Sequence, residues 1–299
     1  MVRFIAVPIT QVIVSTSAAI NLSIYIVVRG LHKPTWVPFS VSNYRGVVTW
    51  VRLAIPGMLM VCAEWWGFEI NIMVAGLLGS EELAAMALIY NVMTFFYTFP
   101  MSFSICAAVL VGNAVGAADI PRAKRQGGMV IVLAVAVQCL IVAFMLFGRS
   151  YWPRLFTEDP EVLSIVIRIV PLLCWFTVVD CVQTSVGGML RGCGKQSIGA
   201  ITYICAYYGV GMGIGIPLAL ATPLGVIGQW IGISTASTTC MIVLSIYFIF
   251  LSWDKVVREA FQRLEIDHSH LETSESGESP LSVELEELEE AADAENTIS

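Results

Sequence analysis

The sequence predicts an all-α protein, a polytopic membrane helix bundle with about seven transmembrane helices. Hydrophobic residues make up 57% of the 299 residues, charged residues make up 13%, and the mean hydropathy is +0.78. Soluble domains carry about 25% charged residues. No Asp, Glu, Lys, Arg or His occurs in the 58 residues between Lys195 and Asp254. That stretch has room for two spans of about 20 residues each, which excludes a large soluble protein.

Seven segments have the length and composition of membrane spans, and several have recognisable ends. Pro56 suits the first turn of the second span. Asp159 and Pro160 begin the fifth span, and the segment 221–225 (ATPLG) separates the last two. The predicted spans are 5–29, 53–78, 83–112, 127–148, 161–190, 197–221 and 224–252.

The distribution of basic residues predicts the orientation in the membrane. The loops on one side carry twelve Lys and Arg residues, and those on the other side carry four. Cytoplasmic loops are enriched in Lys and Arg, so the richer side, which includes the C-terminus, is predicted to be cytoplasmic. The first apolar run has 25 residues, which is long enough to span the bilayer rather than to act as a cleaved signal peptide.

The chain after the last span divides into two parts. Residues 255–265 (KVVREAFQRLE) place Val257, Phe261 and Leu264 among charged residues. This pattern indicates either a short amphipathic helix on the inner membrane surface or the frayed end of the seventh span. The tail 266–299 contains 11 acidic residues and no Lys or Arg, and its composition predicts disorder. The net charge of −7 belongs to this tail, because the other residues sum to +4.

Three acidic residues, Glu64, Glu69 and Asp180, lie inside predicted spans. A charged side chain at membrane depth costs at least about 2.5 kcal/mol, so it usually faces a cavity or a partner. Glu64 and Glu69 are about 140° apart around a helix and therefore do not share a face. Asp180 has no basic residue within ten positions, so its partner must be another helix, a cation or a proton. For both glutamates, a protonated structural hydrogen-bond donor is the alternative.

Aromatic residues are concentrated near these acids, and their faces can bind organic cations. Aromatic side chains in membrane helices also serve as packing or as interfacial belts, so the pattern alone is ambiguous. The aromatic residues concerned are Trp65, Trp66, Phe68, Tyr90, Phe95, Phe96, Tyr97 and Phe99.

The eight cysteines show no CxxC spacing and no His partners, so no metal site is predicted.

Four segments together resemble the eukaryotic multidrug and toxin extrusion (MATE) transporters. They follow the family's order and spacing and cover essentially residues 50–253. They are PGMLMVCAEWWGFE (56–69), VLVGNAVGAADIPRAKR (109–125), GGMLRGCGKQSIGA (187–200) and YYGVGMGIGIPLAL (207–220). Members of this family are proton- or sodium-coupled exporters of organic cations and other metabolites, built from twelve helices in two six-helix lobes around a cavity.

The resemblance implies a partial MATE fold. Residues 1–29 are similar to the last helix of the first lobe, 30–51 to the cytoplasmic interlobe loop, and 52–253 to the six-helix second lobe. Residues 254–299 form the cytoplasmic amphipathic segment and the acidic disordered tail. The first five family helices have no counterpart here. We therefore expect a truncated chain, inactive alone, that could pair with a missing N-terminal lobe or another copy.

The resemblance also implies roles for the acidic residues. Glu64 and Glu69 match two acidic positions of the family's seventh helix, and Asp180 matches one in the tenth. These three residues are therefore expected to couple transport to protons or cations.

The expected substrate cavity includes Asn91, Tyr97 and Trp65, of which Trp65 is one of the aromatic residues beside the acids and the other two follow from the resemblance. Tyr97 matches a cavity-lining tyrosine of the family's eighth helix. Asn91 stands where some animal members carry a further glutamate, and an asparagine can still ligate or hydrogen-bond.

The expected function is therefore secondary antiport rather than catalysis. The protein would export organic cations or other xenobiotics in exchange for protons, without a cofactor or nucleic acid, in the lipid bilayer of the plasma or vacuolar membrane. Sodium coupling and a non-transporting regulatory fragment are alternatives. A seven-helix receptor is disfavoured, because the third span ends in VLVGNAVG rather than an Asp-Arg-Tyr-like motif and the seventh lacks Asn-Pro-x-x-Tyr.

Overall fold

The protein is described by a computed structural model that covers residues 2–33 and 47–262. These residues belong to two units, Met1–Arg45 and Gly46–Ser299. In the described ranges, seven helices are long and apolar enough to cross a membrane. The predicted all-α membrane bundle is confirmed. The predicted acidic tail and most of the predicted interlobe loop lie outside the described residues.

The first unit contributes one membrane-length helix, α1 (Val2–Val28). Its end is set by Gly30, which has a φ of 64° and occupies the left-handed region that glycine adopts without strain. The Leu31 N–H donates to the Ile26 carbonyl and the Gly30 N–H to the Val27 carbonyl, each at 3.1 Å. This pair of hydrogen bonds is a Schellman motif, which satisfies carbonyls left over at the helix end.

The second unit is a helix bundle in which α5 is central, because it packs against α3, α4 and α8. Short turns connect most of the helices. The helices are α2 (Val47–Leu78), α3 (Ser80–Gly116), α4 (Ile120–Phe147), α5 (Pro160–Gly192), α6 (Gln196–Ile204), α7 (Met212–Ala221), α8 (Val226–Ile249) and α9 (253–262). A π-helical segment, Cys205–Gly211, joins α6 to α7, so that Gln196–Ala221 is one of the seven membrane-length helices. A short 3-10 helix covers Trp152–Leu155.

Helix α2 begins earlier than the sequence predicts. It starts at Val47 rather than at 53, so Pro56 lies inside the helix and the prediction of a first-turn proline is wrong. A proline inside a helix cannot donate to the preceding turn, and neighbouring groups must satisfy the carbonyls there. The carbonyl that loses its partner at Pro56 is that of Arg52, four residues earlier. The next carbonyl, that of Leu53, accepts from Gln196 Nε2 at 2.8 Å, which ties this part of α2 to the start of α6.

The starts of α4 and α5 are set by aspartate caps. Asp159 accepts from the Glu161 N–H at 2.9 Å, which confirms the predicted start of the fifth span. Asp119 accepts from the Arg122 N–H at 3.0 Å, so α4 begins at Ile120 rather than at 127. Hydropathy marks the part of a helix that meets lipid, whereas the cap marks where the helix begins.

Helices α3 and α5 approach closely at Gly188. The Ser104 Oγ donates to the Thr184 carbonyl at 2.6 Å across this contact and accepts from Arg191 Nη2 at 2.7 Å. A β-carbon at Gly188 would overlap the Ser104 carbonyl and lie 2.7 Å from its Oγ. The absent side chain therefore sets the distance between the two helices, as is common in membrane bundles.

The segment after α8 is a separate helix, so the alternative of a frayed seventh span is wrong. Residues 251 and 252 are not helical, and α9 covers 253–262. Its buried side chains are Trp253 and Val256, whereas Phe261 is 43% exposed and Leu264 lies outside the described residues. Residues at the ends of α3, α4 and α5 form a hydrophobic cluster with Trp253 and Val256. Val257, one of the predicted apolar residues, is partly buried against this cluster, so the packed face includes it together with Trp253 and Val256.

We predict that Gly188→Ala lowers the stability of the bundle, whereas Gly128→Ala does not. A β-carbon at Gly188 meets backbone atoms that cannot move aside, and overpacking of this kind costs roughly 1–3 kcal/mol. A β-carbon at Gly128 of α4 meets nothing within 4 Å beyond its own helix, and alanine is the better helix former by up to about 1 kcal/mol. Thermal unfolding midpoints in detergent measure both effects. Equal midpoints for the two variants would contradict the proposed close contact.

Candidate functional site

The candidate site begins with two acidic side chains buried inside the second unit. Glu64 of α2 is 4% exposed and Asp180 of α5 is 2% exposed. Within residues 47–262 neither carboxylate forms an ion pair. Burying an unpaired charge is costly, so other polar groups must stabilise these two acids.

The stabilising group is the side-chain amide of Gln183, which is completely buried. Its Nε2 lies 3.0 Å from Glu64 Oε1, 2.9 Å from Asp180 Oδ1 and 2.9 Å from the Tyr207 hydroxyl oxygen. The Tyr207 hydroxyl donates to Glu64 Oε1 at 2.8 Å, and Thr184 Oγ1 donates to Asp180 Oδ1 at 3.2 Å. We call these five residues the Gln183 cluster.

The Gln183 cluster contains more hydrogen-bond acceptors than the two N–H groups of the Gln183 amide can donate to at once. Nε2 carries two hydrogens, but three oxygen atoms lie within 3.0 Å of it. The amide can therefore bond to both carboxylates, or to one of them and the tyrosine. Gln183 Oε1 has no hydrogen-bond partner among the described residues. Which bonds form must then depend on whether Glu64 and Asp180 carry a proton or a charge.

The π-helical segment brings Tyr207 to Glu64. A π turn widens the helix locally and is often found at functional sites. Tyr207 is 4% exposed, and its ring stacks on that of Tyr203 with centroids 5.9 Å apart. Three separate elements, α2, α5 and the π segment, therefore each supply one part of the cluster.

Glu64 also lines an open cavity of about 500 Å³ between α2, α3, α5 and α6. Trp65 and Tyr97 form part of its wall, and their rings meet edge to face with centroids 5.5 Å apart. Arg191, held by Ser104, also lines the cavity. The structure thus brings three of the predicted site residues, Glu64, Trp65 and Tyr97, together at one cavity.

Asp180 lies behind Glu64, at a much smaller cavity of about 10 Å³. This volume is roughly that needed for one water molecule. Gln138 of α4 and Thr177 of α5 line the cavity with Asp180, and both amide atoms of Gln138 are buried without a partner in the described part of the chain. One water here could bridge Gln138 and Asp180.

Two predicted site residues, Glu69 and Asn91, lie away from the Gln183 cluster. Glu69 is on an exposed face of α2, where its Oε1 accepts from the Tyr90 hydroxyl at 3.4 Å. Asn91 donates from Nδ2 to the Ala87 carbonyl at 2.8 Å and lines a separate apolar cavity of about 370 Å³ beside Trp152. Their predicted roles in coupling and substrate binding stay predictions.

Sequence reasoning missed Gln183, Tyr207 and Gln138. A signal existed for the first, because Gln183 and Thr184 follow Asp180 by three and four residues and therefore share its helical face. Tyr207 gave no such signal, since only the π segment turns it toward α2. The described residues contain no group of three His, Cys, Asp or Glu side chains that could hold a metal. The oxygen atoms of the Gln183 cluster could hold a proton or one small monovalent cation.

A sequence model of a known family, described as MatE, matches residues 56–216. The chain belongs to the MatE family. The resemblance to multidrug and toxin extrusion transporters noted in the sequence is therefore confirmed, and the matched range includes all six predicted site residues.

Relatives of this MatE chain are considerably longer than it is. Multidrug and toxin extrusion protein 1 of Danio rerio is 36% identical over 251 residues, which are 83% of this chain and 42% of that protein. The Homo sapiens protein of the same name is 34% identical over 242 residues, with shares of 81% and 42%. The crystal structure of the eukaryotic MATE transporter AtDTX14 matches with a TM-score of 0.74 and 28% identity, over 80% of this chain and 55% of that one.

We predict that Glu64 and Asp180 are energetically coupled, whereas Glu64 and Glu69 are not. Residues in one hydrogen-bond network show coupling energies of about 0.5–3 kcal/mol, whereas separated sites add within roughly 0.5 kcal/mol. Glu64→Gln, Asp180→Asn and Glu69→Gln change charge but preserve shape. The measurement is the thermal midpoint of each single and double variant in detergent.

The Glu64→Gln/Asp180→Asn pair should depart from the sum of its single variants. The Glu64→Gln/Glu69→Gln pair is the matched control and should be additive. Additivity in both pairs would mean that Gln183 does not connect the two buried acids.

Proposed function

We propose that the Gln183 cluster couples the export of an organic cation to the entry of protons, as part of a multidrug and toxin extrusion antiporter. The observation that carries this proposal is the position of Glu64. Glu64 lines the 500 Å³ cavity together with Trp65 and Tyr97, and it also shares the Gln183 amide with the buried Asp180. A cation in the cavity and a proton can therefore compete for one carboxylate.

Competition at Glu64 is enough to link opposite fluxes. A protonated Glu64 is neutral, so it is inexpensive to bury and does not attract a cation. An ionised Glu64 favours a cation beside it, and the rings of Trp65 and Tyr97 offer faces for an organic cation. Because each ligand displaces the other, the proton gradient can drive the cation in the reverse direction.

The proposal extends to a second lobe and to the membrane orientation. The chain matches 42% of the length of the relatives named above. Alternating access moves one lobe against another around a central site. We infer that an N-terminal lobe or another copy of this chain supplies the opposite wall. The excess of basic residues supports a cytoplasmic C-terminus, and the plasma or vacuolar membrane is the proposed location.

The names of the relatives support the substrate class. Proteins named for multidrug and toxin extrusion match more than 80% of this chain. The local chemistry agrees, since the cavity places a carboxylate beside aromatic rings. Sodium is the second candidate for the coupling ion, because the oxygen atoms of Glu64 and Asp180 are the kind of ligand that hard monovalent cations accept.

We predict that the purified chain in phosphatidylcholine nanodiscs binds tetraethylammonium more tightly at mildly alkaline than at mildly acidic pH. Protonation of Glu64 as the pH falls removes the charge that attracts the cation. Glu64→Gln should weaken binding roughly tenfold at alkaline pH, equivalent to about 1.4 kcal/mol, and should abolish the pH dependence. Equilibrium binding of the radiolabelled cation measures both.

Glu161→Gln is the matched control, because Glu161 is exposed in the first turn of α5 and does not line the cavity. It should leave the affinity within about twofold. Displacement of the cation by sodium chloride, but not by potassium chloride at the same ionic strength, would assign the coupling to sodium. Unchanged affinity and pH dependence in Glu64→Gln would overturn the proposal.

A further inference from the structure

A second large cavity, of about 500 Å³, lies on the outer surface between α3 and α4 and is unrelated to the Gln183 cluster. We call it the α3–α4 groove. Both of its walls are largely apolar, and its polar side chains, Arg125 and Gln126, come from the first turns of α4. The residues that line it are Phe103, Cys106 and Leu110 of α3 and Arg125, Gln126, Met129, Val130 and Leu133 of α4.

The groove is polar at one end and apolar along the rest. Arg125, Met129 and Leu133 follow one another at four-residue spacing, so they form a stripe along α4. Arg122 continues this stripe toward the start of the helix, one turn before Gln126. On α3 the lining residues recur at three- and four-residue spacing, and Leu110 lies nearest the connecting turn. The two helices therefore present a basic end at the turn and an apolar channel leading away from it.

The two arginines at this end are not engaged by acidic side chains. Within residues 47–262, neither Arg122 nor Arg125 forms an ion pair, and Asp119 accepts only the Arg122 backbone N–H. Both arginines are exposed. Two lysines, by contrast, already have partners within the protein. Lys195 forms an ion pair with Glu259 at 2.5 Å, and Lys124 Nζ lies 5.7 Å from the centre of the Trp253 ring. The basic end of the groove is therefore available to an external anion.

The walls of the groove decide what kind of anion fits. Met129 and Leu133 are 57% and 55% exposed. The exposed side chains farther along α4, including Leu140 and Phe144, are also apolar. In a multi-pass membrane protein such a face meets hydrocarbon. A soluble anion would contact the arginines and leave the apolar channel unused, whereas a phospholipid presents a phosphate and an acyl chain in the matching order.

We propose that the α3–α4 groove binds an anionic phospholipid from the leaflet at the α3–α4 turn. Arg122 and Arg125 contact the phosphate, which carries the negative charge of the lipid, and one acyl chain lies along Cys106, Met129 and Leu133. Gln126 lines the same end of the groove as Arg125, so its side-chain amide is placed to hydrogen-bond with the headgroup. Basic pockets between membrane helices are a recurring form of headgroup recognition.

The groove and the Glu64 cavity use opposite faces of the same turns of α3. Phe103, Cys106 and Leu110 face the groove, whereas Ser104, Ile105 and Ala108 face the cavity. A lipid in the groove would therefore contact the helix that separates it from the candidate transport site. The proposal itself does not depend on transport, because it concerns lipid binding to this chain.

The test compares two lipids that differ only in their headgroup. The purified chain in detergent is titrated with phosphatidylglycerol or with phosphatidylcholine of the same acyl chains, and bound lipid is counted by native mass spectrometry. We expect tighter binding of phosphatidylglycerol. A basic residue near an anionic lipid contributes about a fivefold increase in affinity, so Arg122→Gln/Arg125→Gln should weaken phosphatidylglycerol binding by roughly 25-fold. Phosphatidylcholine binding should weaken much less, because its choline cation offsets the charge of the phosphate.

Two further variants distinguish specific lipid binding in the groove from non-specific electrostatic attraction to the basic surface. Lys124→Gln removes one positive charge at the residue before Arg125, but on the side of Trp253, and should weaken phosphatidylglycerol binding less than the roughly fivefold expected for one arginine in the groove. Cys106→Trp fills the apolar channel and should weaken the binding of both lipids. Glycerol phosphate, which lacks acyl chains, should fail to displace the lipid.

The proposal is overturned if the two lipids bind equally, or if Lys124→Gln has the same effect as the arginine variant. Displacement by glycerol phosphate would show that the basic end binds soluble phosphate rather than lipid, which also overturns it. Unchanged thermal midpoints of the arginine and Cys106 variants exclude misfolding as the cause of any loss.

Discussion

Gln183 and its hydrogen bonds form the constraint on which the rest of the candidate site depends. An apolar bundle cannot leave two carboxyl groups without partners. Gln183 lies within hydrogen-bond distance of both acids and of Tyr207, which come from α2, α5 and the π segment. These elements are held in one arrangement because each brings a polar group that the others must satisfy. The resulting network joins the wall of an open cavity to an acid buried behind it.

The position of this network depends in turn on close packing of small residues. Gly188 lets α3 approach α5, and Ser104 on α3 then bonds to both Thr184 and Arg191. Thr184 itself donates to Asp180. The contact between the two helices and the hydrogen bonds of the cluster are therefore continuous. A change in the distance between α3 and α5 would reach Asp180 through Thr184.

The sequence predicted the membrane bundle, because long uncharged runs have few structural solutions. It also predicted Glu64 and Asp180 as candidates, since an acid in such a run stands out, whereas Trp65 came from the aromatic pattern and Tyr97 from the family resemblance. Helix ends were less predictable, because Asp119 and Val47 lie outside the hydrophobic runs. Gln183 and Tyr207 were missed because a neutral polar residue is unremarkable until its neighbours are known. Glu69 and Asn91, by contrast, were predicted as site residues from their chemical type and the family resemblance, but the structure places them away from the Gln183 cluster.

Glu64 and Asp180 have different surroundings and are therefore accessible to ligands of different size. Glu64 faces a cavity wide enough for an organic molecule, whereas Asp180 faces space for about one water molecule. Under the proposed function, a bulky cation would therefore contact Glu64, whereas only a proton, a water molecule or a small ion would fit beside Asp180. Since the two hydrogens of the Gln183 amide are shared among three oxygen atoms, a change of charge at one acid alters the hydrogen bonds left for the other. Asp180 can thus respond to what occupies the cavity without contacting it.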